Sequence, residues 1–363
     1  MSTYATLVSI CSPIYTPLKK YIPEGLDRVL RITLLTGVQG LSWQRGYGDL
    51  VLSSYSALLK SDRVLGRPVH LTIEPTNICD MGCPVCETGA GILNREKGSM
   101  SLDNFKMIID KLGGHTNTLF FYYVGEPFLN KNAYEMISYA AQRGIFVSTC
   151  TNGHFVDAKA IIESGIGEVS FQIGGMTQET HEKYRVRGDL RKTLDNLAAT
   201  IEEKRKHPLS RTKIVVGLIV MKHNEHEVDY FLKFAQEIGA DYANLDSPCV
   251  RSLEQGRQFL PQNDKYWLYD RKAFDKGILR PCLAPHNHCE WLYYSTTIQW
   301  NGDVVPCCRD AQGEYIMGNI FEQDFYEIWN GEKFREFRRK VNSDQKNLEL
   351  CRLCSGFGIP SLC

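Results

Sequence analysis

The sequence predicts an α/β protein: an open, partial (β/α)6 barrel with a helical N-terminal extension and a small, cysteine-rich C-terminal domain. Three observations predict it. Strand-like apolar runs alternate with amphipathic helical stretches between Pro68 and Asp246. Before Pro68 only a helical rhythm is visible. From position 281 onward the chain is crowded with cysteines. Alternating strands and helices imply right-handed crossovers and a parallel sheet. The expected boundaries are 1–66 for the extension, 67–250 for the barrel, 251–280 for a connector and 281–363 for the terminal domain.

In the extension, Leu26–Leu35 and Asp49–Leu59 mix apolar and polar residues at helical spacing. The barrel begins with a strand at Val69–Ile73, then a helix at Leu102–Leu112 with Ser101 placed to cap it. The second unit is Thr118–Val124 with Asn132–Arg143, and the third Ile145–Cys150 with Ala158–Ser164. The fourth is Glu168–Ile173 with Leu190–Lys206, and the fifth Lys213–Val220 with His226–Ile238. Ala243–Asp246 is a short sixth strand. Residues 251–280 are charged and irregular. In the terminal domain Ser295–Trp300 and Asp303–Val305 flank Asn301-Gly302, a strong hairpin signal. In parallel α/β folds the site lies at the carboxyl ends of the strands.

Composition narrows the function. Lys+Arg and Asp+Glu balance at 42 each, so no global field favours nucleic acid. No apolar run approaches the ~20 residues of a membrane span, and Met1–Gly25 lacks the pattern of a secretory signal. A cytoplasmic protein is expected, with peripheral membrane contact through Trp43 and nearby leucines left open. Thirteen cysteines is a high count for a reducing compartment, where clustered cysteines point to metal or catalysis.

Cys79-Asp80-Met81-Gly82-Cys83-Pro84-Val85-Cys86 follows the first strand. Three thiolates at this spacing can share one four-iron cluster and leave one iron open to a ligand; a zinc site completed by a distant residue is the alternative. The CxxxCxxC loop after the first barrel strand resembles the signature of the radical S-adenosylmethionine (SAM) superfamily, and the resemblance covers roughly residues 67–250. It implies a [4Fe-4S] cluster on Cys79, Cys83 and Cys86, SAM chelating the open iron, and one-electron cleavage of SAM to a 5′-deoxyadenosyl radical that abstracts a substrate hydrogen.

Further motifs carry the resemblance. Gly125-Glu126-Pro127 is similar to the family's GGEP, with Val124 in place of the first glycine, and implies that Gly125 and Glu126 bind the SAM amino group. Thr151-Asn152-Gly153 ends the third strand, where the family lines its site. Ser170 lies on the fourth strand, but Gln172 stands where an acidic residue is usual. Arg187-Gly188 resembles the family's Arg-Gly and puts Arg187 on the SAM carboxylate. Val220, ending the fifth strand, would cover the adenine.

In the terminal domain Cys289 is followed by twelve residues, Gly302, four residues and Cys307; Cys351 and Cys354 form a later pair. Spacing alone leaves iron–sulfur and zinc equally open. The stretches Trp300–Cys308, Met317-Gly318-Asn319 and Glu327-Ile328-Trp329-Asn330, with Cys351-x-x-Cys354, resemble the SPASM and twitch domains. That implies an auxiliary [4Fe-4S] cluster on Cys289, Cys307, Cys351 and Cys354. The full SPASM pattern continues with a cysteine where this chain has Pro360, so one auxiliary cluster is favoured. Cys282, Cys308 and Cys363 are left for a second cluster or an alternative ligand.

The function expected is a radical SAM oxidoreductase. It would take hydrogen from an unactivated C–H bond of a small metabolite, a cofactor or pigment such as a tetrapyrrole, or a lipid, with net oxidation. A peptide-modifying maturase is the alternative within the class, and a non-catalytic metal-binding scaffold the alternative outside it. The expected partner is an electron donor such as flavodoxin or ferredoxin. Asp246 is a candidate base and Cys249 a candidate hydrogen donor.

Overall fold

The computed structural model describes residues 45–283 and 285–354. Leu26–Leu35 lies outside them. Six parallel strands form in the expected places: β1 His70–Ile73, β2 Thr118–Phe120, β3 Phe146–Thr151, β4 Glu168–Ile173, β5 Lys213–Ile219 and β6 Tyr242–Asp246. They are neighbours in sequence order, and β6 does not pair with β1, so the barrel stays open. The helices on the convex side are α1 Tyr47–Leu58, α2 Leu102–Leu112, α3 Ala133–Gln142, α4 Ala158–Glu163, α5 Gln178–Tyr184, α6 Leu190–Lys206 and α7 Val228–Ile238. Ser101 caps α2 as expected, its side chain accepting from Asn104 N.

Strand alternation divides the side chains. Leu71, Ile73, Leu119, Val147, Val169, Phe171, Val216 and Leu218 are fully buried towards the helices. Their neighbours in sequence face the other way; His70, Thr72, Thr118, Ser148, Cys150, Glu168, Ser170, Gln172 and Gly217 are polar or small, while Phe120, Phe146, Val215 and Ile219 are apolar. Register places Cys150 beside Ser170, Gln172 beside Gly217, Gly217 beside Asn244 and Ile219 beside Asp246. Paired residues in a sheet share a face, so these line the concave interior. The Gln172 side chain donates to Ser170 Oγ at 2.8 Å and lies over Gly217, where a Cβ would come within 2.3 Å of it.

Three expectations need correction. The second strand was expected to run to Val124 but ends at Phe120. Gly125 draws the chain off the sheet and against the loop after β1: Glu126 N donates to Ile78 O at 2.9 Å, and a Cβ on Gly125 would lie 2.2 Å from Thr76 O. Residues 251–280 are not irregular throughout. They contain α8 Leu253–Phe259 and α9 Arg271–Asp275, capped by Ser252 and Asp270. Phe259, Leu260, Trp267, Leu268 and Tyr269 form a second core with Met81, Cys83 and Val85 of the first cysteine loop, and with Leu353. Finally, the Asn301-Gly302 hairpin, β7 Ser295–Ile298 with β8 Asp303–Val305, is not a separate sheet. Strand β7 pairs in parallel with β1, and a short β9 (Gly318–Asn319) follows β8, giving a nine-stranded sheet. Helices α10 Trp291–Tyr294, α11 Phe325–Trp329, α12 Glu332–Asp344 and α13 Glu349–Arg352 complete the fold. Among the described residues no helix is long and apolar enough to cross a membrane.

Candidate active site

The loop after β1 carries Cys79, Cys83 and Cys86, all free thiols. Its base is closed by hydrogen bonds. Thr76 Oγ1 donates to Gly98 O at 2.8 Å, Asn77 Nδ2 to Glu96 O at 2.7 Å, and Gly98 N to Asn77 Oδ1 at 2.9 Å. Asn130 Nδ2 holds both Pro75 O and Met100 O. Burial pushes the Cys79 thiol up to about 12, aided by Glu126, Asp80 and Cys83; burial and Cys83 likewise raise Cys86. Working the other way, backbone N–H groups reach the sulfurs: Met81 to Cys79, and Gly89 and Thr88 to Cys86. Such donors favour the thiolate that iron binds.

Gly125 and Glu126 sit against this loop. Glu126 is buried, and its carboxyl accepts from Thr151 Oγ1 (2.8 Å), Asn152 N (2.8 Å) and Phe128 N (3.2 Å). Burial lifts Glu126 to about 7, with these hydrogen bonds opposing. Asn152 Nδ2 donates to Asp80 Oδ1 at 2.7 Å, and His154 Nδ1 lies 2.8 Å from Asp80 Oδ2. His154 Nε2 accepts from Asp189 N at 3.0 Å, which fixes the proton on Nδ1 and makes the imidazole a donor to Asp80. Thr151 and Asn152 thus join the cysteine loop through Glu126 and Asp80.

Of two arginines two positions apart, Arg185 comes against the cysteine loop. Its Nη1 lies 3.8 Å from Cys83 Sγ, and its Nε is buried without a hydrogen-bond partner. Burial works against its charge, but Cys83, Tyr184 and Cys79 together raise its pKa. Arg187 is exposed, at φ +68°, with its guanidinium beside Gly82. Val220 is fully buried and donates its N–H to Asp246 O at 2.8 Å. Ser170 lies on the interior face with Gln172. Burial raises the Asp246 carboxyl, with Arg185 opposing.

A second group of cysteines comes together in the terminal region. Cys289, Cys307, Cys351 and Cys354 are close enough that each thiol feels at least one of the others, and burial raises Cys289 and Cys307 strongly and Cys351 to about 12. Backbone N–H groups of Leu292 and Trp291 reach Cys289, and that of Arg309 reaches Cys307. Cys308 adjoins this group and is exposed. Cys282 is disulfide-bonded, and Cys363 lies outside the described residues. Among the described residues no three such side chains close tightly enough to hold a single ion; a cubane asks for wider spacing, because each thiolate meets a different iron. Cys249 lies between the groups, with Cys354 and Arg309 on one side and Tyr184, which also feels Cys83 and Cys86, on the other.

Sequence reasoning missed Arg185, Asp80, His154, Glu74 and Arg309. Arg185 was legible as the residue after Tyr184. The others gain meaning only from folding. Glu74, fully buried at the end of β1, grips Arg95 at 2.6 and 2.9 Å and accepts from Trp300 N at 3.1 Å, while Arg95 Nε donates to Ala311 O at 2.7 Å. The cysteine loop is thereby fastened to the terminal hairpin.

An open parallel barrel with three free thiols on its first loop and four more gathered in the terminal region is the arrangement of iron–sulfur proteins that use SAM. Residues 73–235 match the radical SAM superfamily and residues 289–355 the SPASM iron–sulfur cluster-binding domain. The chain is 25% identical to the AdoMet-dependent heme synthase of Methanosarcina barkeri, over 75% of this chain and 85% of that protein. It is also 25% identical to the mycofactocin maturase MftC of Mycolicibacterium smegmatis, over 82% and 78%. The crystal structure of Streptococcus suis SuiB bound to S-adenosylmethionine shares the fold, with a TM-score of 0.58 and 14% identity over 91% and 82%. The two domain matches together take in more than half of the chain, which belongs to the radical SAM superfamily and carries a C-terminal SPASM domain. Its cofactors are a SAM-binding [4Fe-4S] cluster, SAM and auxiliary iron–sulfur.

Proposed function

We propose that the chain is a radical SAM oxidoreductase that abstracts hydrogen from an unactivated C–H bond of a small metabolite or pigment, with net oxidation. The observation that carries this reading is the loop of three free thiols after β1, with buried Glu126 held by Thr151 and Asn152 and with Arg185 3.8 Å from Cys83. Bound cluster and SAM supply one-electron reductive cleavage, which yields a 5′-deoxyadenosyl radical able to take a hydrogen atom from a C–H bond. The protein's own work is placement. Cys79, Cys83 and Cys86 hold the first cluster on a loop clamped at its base. Glu126 takes the SAM ammonium, whose charge offsets the burial that raises this carboxyl. Thr151 and Asn152 keep that carboxyl oriented. Arg185, already beside Cys83, is better placed for the SAM carboxylate than exposed Arg187, and a guanidinium can meet it with two hydrogen bonds. Ser170 lines the remaining wall, whereas Val220, expected over the adenine, is fully buried in the core with Val216 and Leu218. Cys289, Cys307, Cys351 and Cys354 hold the auxiliary cluster, a suitable acceptor for the electron that a net oxidation releases. An electron donor such as flavodoxin or ferredoxin would supply the electron for that cleavage.

Similarity to the heme synthase supports a pigment substrate, and similarity to the mycofactocin maturase supports a peptide. The test is anaerobic reconstitution with SAM and dithionite. The expected result is about eight irons per chain, formation of 5′-deoxyadenosine, and loss of its formation in the Cys79→Ala/Cys83→Ala/Cys86→Ala variant while terminal iron persists. Bound zinc without SAM cleavage rejects the reading. Transfer of deuterium from a labelled porphyrin or peptide into 5′-deoxyadenosine decides between the two substrates.

A further inference from the structure

Helix α1 carries its large apolar side chains outward. At 3.6 residues per turn, Val51, Leu52, Tyr55, Leu58 and Leu59, the last just past the helix end, fall within an arc of about 120°. Each is between 45% and 58% exposed. No charge interrupts them. Asp49, the one charged residue of α1, lies on the other side of the helix, its Oδ2 2.8 Å from Arg67 Nη2. The opposite face is buried and consists of Leu50, Ser53, Ser54, Ser56 and Ala57. A helix on the surface of a globular domain ordinarily does the reverse, burying its large apolar residues and offering charge to water. The arrangement is firmly held. Tyr294 Oη donates to Ser54 Oγ, Leu65 N to Ser56 Oγ and, just beyond the helix, Trp329 Nε1 to Gly66 O, each at 3.0 Å. The outward face is therefore built into the fold, and a contiguous apolar patch of this kind marks a contact surface.

Charge indicates what covers it. Lys60 and Arg63, which follow the helix, are exposed and enter no ion pair among the described residues. The acids beside them are already taken, Asp49 by Arg67 and Asp62 by Arg335 and Arg339. Residues 1–67 hold eight Lys and Arg against four Asp and Glu, although the chain as a whole balances at 42 each. A basic excess thus accompanies the apolar face. A two-fold dimer through α1 would set these cations against their own copies. Residues 1–44, with four cations against two anions, bring more of the same sign. An anionic lipid surface answers both features: its acyl boundary takes the apolar side chains, and its phosphates meet Lys60 and Arg63. We propose that the outward face of α1 attaches the protein, in the plane of the surface, to an anionic phospholipid bilayer. With 12 residues α1 is about 18 Å long, too short to cross and long enough to lie along the surface. Tyr55, with an apolar ring and a polar tip, suits the headgroup boundary. The attachment goes beyond the proposed chemistry and does not depend on it.

The test is co-sedimentation of the iron-loaded chain with vesicles of phosphatidylcholine and phosphatidylglycerol, against vesicles of phosphatidylcholine alone. The wild-type protein should pellet with the mixed vesicles and bind them more weakly as salt rises from about 0.1 M to about 1 M, where the Debye length falls to about 3 Å. Lys60→Gln/Arg63→Gln should lower affinity for the mixed vesicles roughly tenfold or more and leave binding to phosphatidylcholine unchanged. Val51→Gln/Tyr55→Gln/Leu58→Gln should lower affinity for both kinds of vesicle at least roughly tenfold. Glutamine keeps the helix propensity of these positions, so formation of 5′-deoxyadenosine in the absence of lipid should not change. In Tyr55→Trp the added fluorescence should be quenched by brominated phosphatidylcholine in the mixed vesicles. If the triple variant fails to load iron, that quenching decides: its presence supports the attachment and its absence overturns it. Failure of the wild-type protein to bind the mixed vesicles overturns the proposal. So does undiminished binding by the iron-loaded triple variant, which would assign the contact to residues outside α1. A dimer in light scattering that the triple variant breaks, with no vesicle binding, would give the face to a second copy and overturn it equally. Failure to form 5′-deoxyadenosine would sink the proposed function and leave the vesicle result standing.

Discussion

Single residues decide which groups touch the cofactors. Arg185 and Arg187 are two positions apart, yet one reaches Cys83 and the other is exposed beside Gly82. On the proposed placement of SAM, Arg185→Gln should lower the rate of SAM cleavage by at least roughly tenfold with iron content unchanged, because the two-pronged carboxylate contact proposed for it would be lost. Arg187→Gln should leave the rate within about twofold, an exposed charge being weakly coupled to the site. Rates of 5′-deoxyadenosine formation on matched iron-loaded proteins check both. Gly125 is a case of space rather than charge. A methyl there would lie 2.2 Å from Thr76 O and 2.9 Å from Ile78 O, both backbone atoms that cannot swing aside. Gly125→Ala should cost about 1–3 kcal/mol in denaturant unfolding, the usual toll of overpacking. It should also weaken iron binding at Cys79, Cys83 and Cys86 while the terminal group keeps its iron.

Between elements, the dominant device is the Glu74–Arg95 pair. It ties the end of β1 to the far side of the cysteine loop, and reaches the terminal hairpin through Trp300 N and Ala311 O. The Trp300 ring adds to the closure by packing where a Cβ on Gly98 would lie 2.4 Å away. Removing one partner leaves a buried charge unanswered, so Glu74→Leu should destabilise by about 3–5 kcal/mol. Hydrogen exchange should quicken in residues 92–98 and 300–312 together. The double variant Glu74→Leu/Arg95→Met should recover part of the loss, since an apolar replacement of both partners removes the uncompensated charge. Recovery absent from a double-mutant cycle would show that shape, not charge, holds these elements.

At the scale of the whole molecule, three buried histidines set an acid limit. Burial holds His70, His115 and His181 down to about 4, against an ordinary value of 6.5. A base with a depressed folded pKa favours the fold while neutral. Its contribution is present above pH 6.5 and is lost as pH falls from 6.5 through 4. His70 stacks on Trp291 with ring centroids 5.9 Å apart, and its Nδ1 has no hydrogen-bond partner. His70 alone should cost on the order of 2 kcal/mol by pH 5 relative to pH 8. Unfolding by urea across that range should flatten by this amount in His70→Phe, which keeps an aromatic ring in the stack.

The alternation of strands and helices, the first cysteine triplet and the Asn301-Gly302 hairpin were all legible from residue order, because periodicity, short-range spacing and turn chemistry are local properties of a chain. The SAM-binding iron–sulfur class followed from the resemblance of that triplet and its companion motifs to the radical SAM signature. The pairing of β7 with β1, the packing of Trp267–Tyr269 over the cysteine loop and the approach of Arg185 to Cys83 were decided only by tertiary structure. Each depends on groups brought together from distant positions, and no local pattern encodes which face of the barrel a distant side chain will meet.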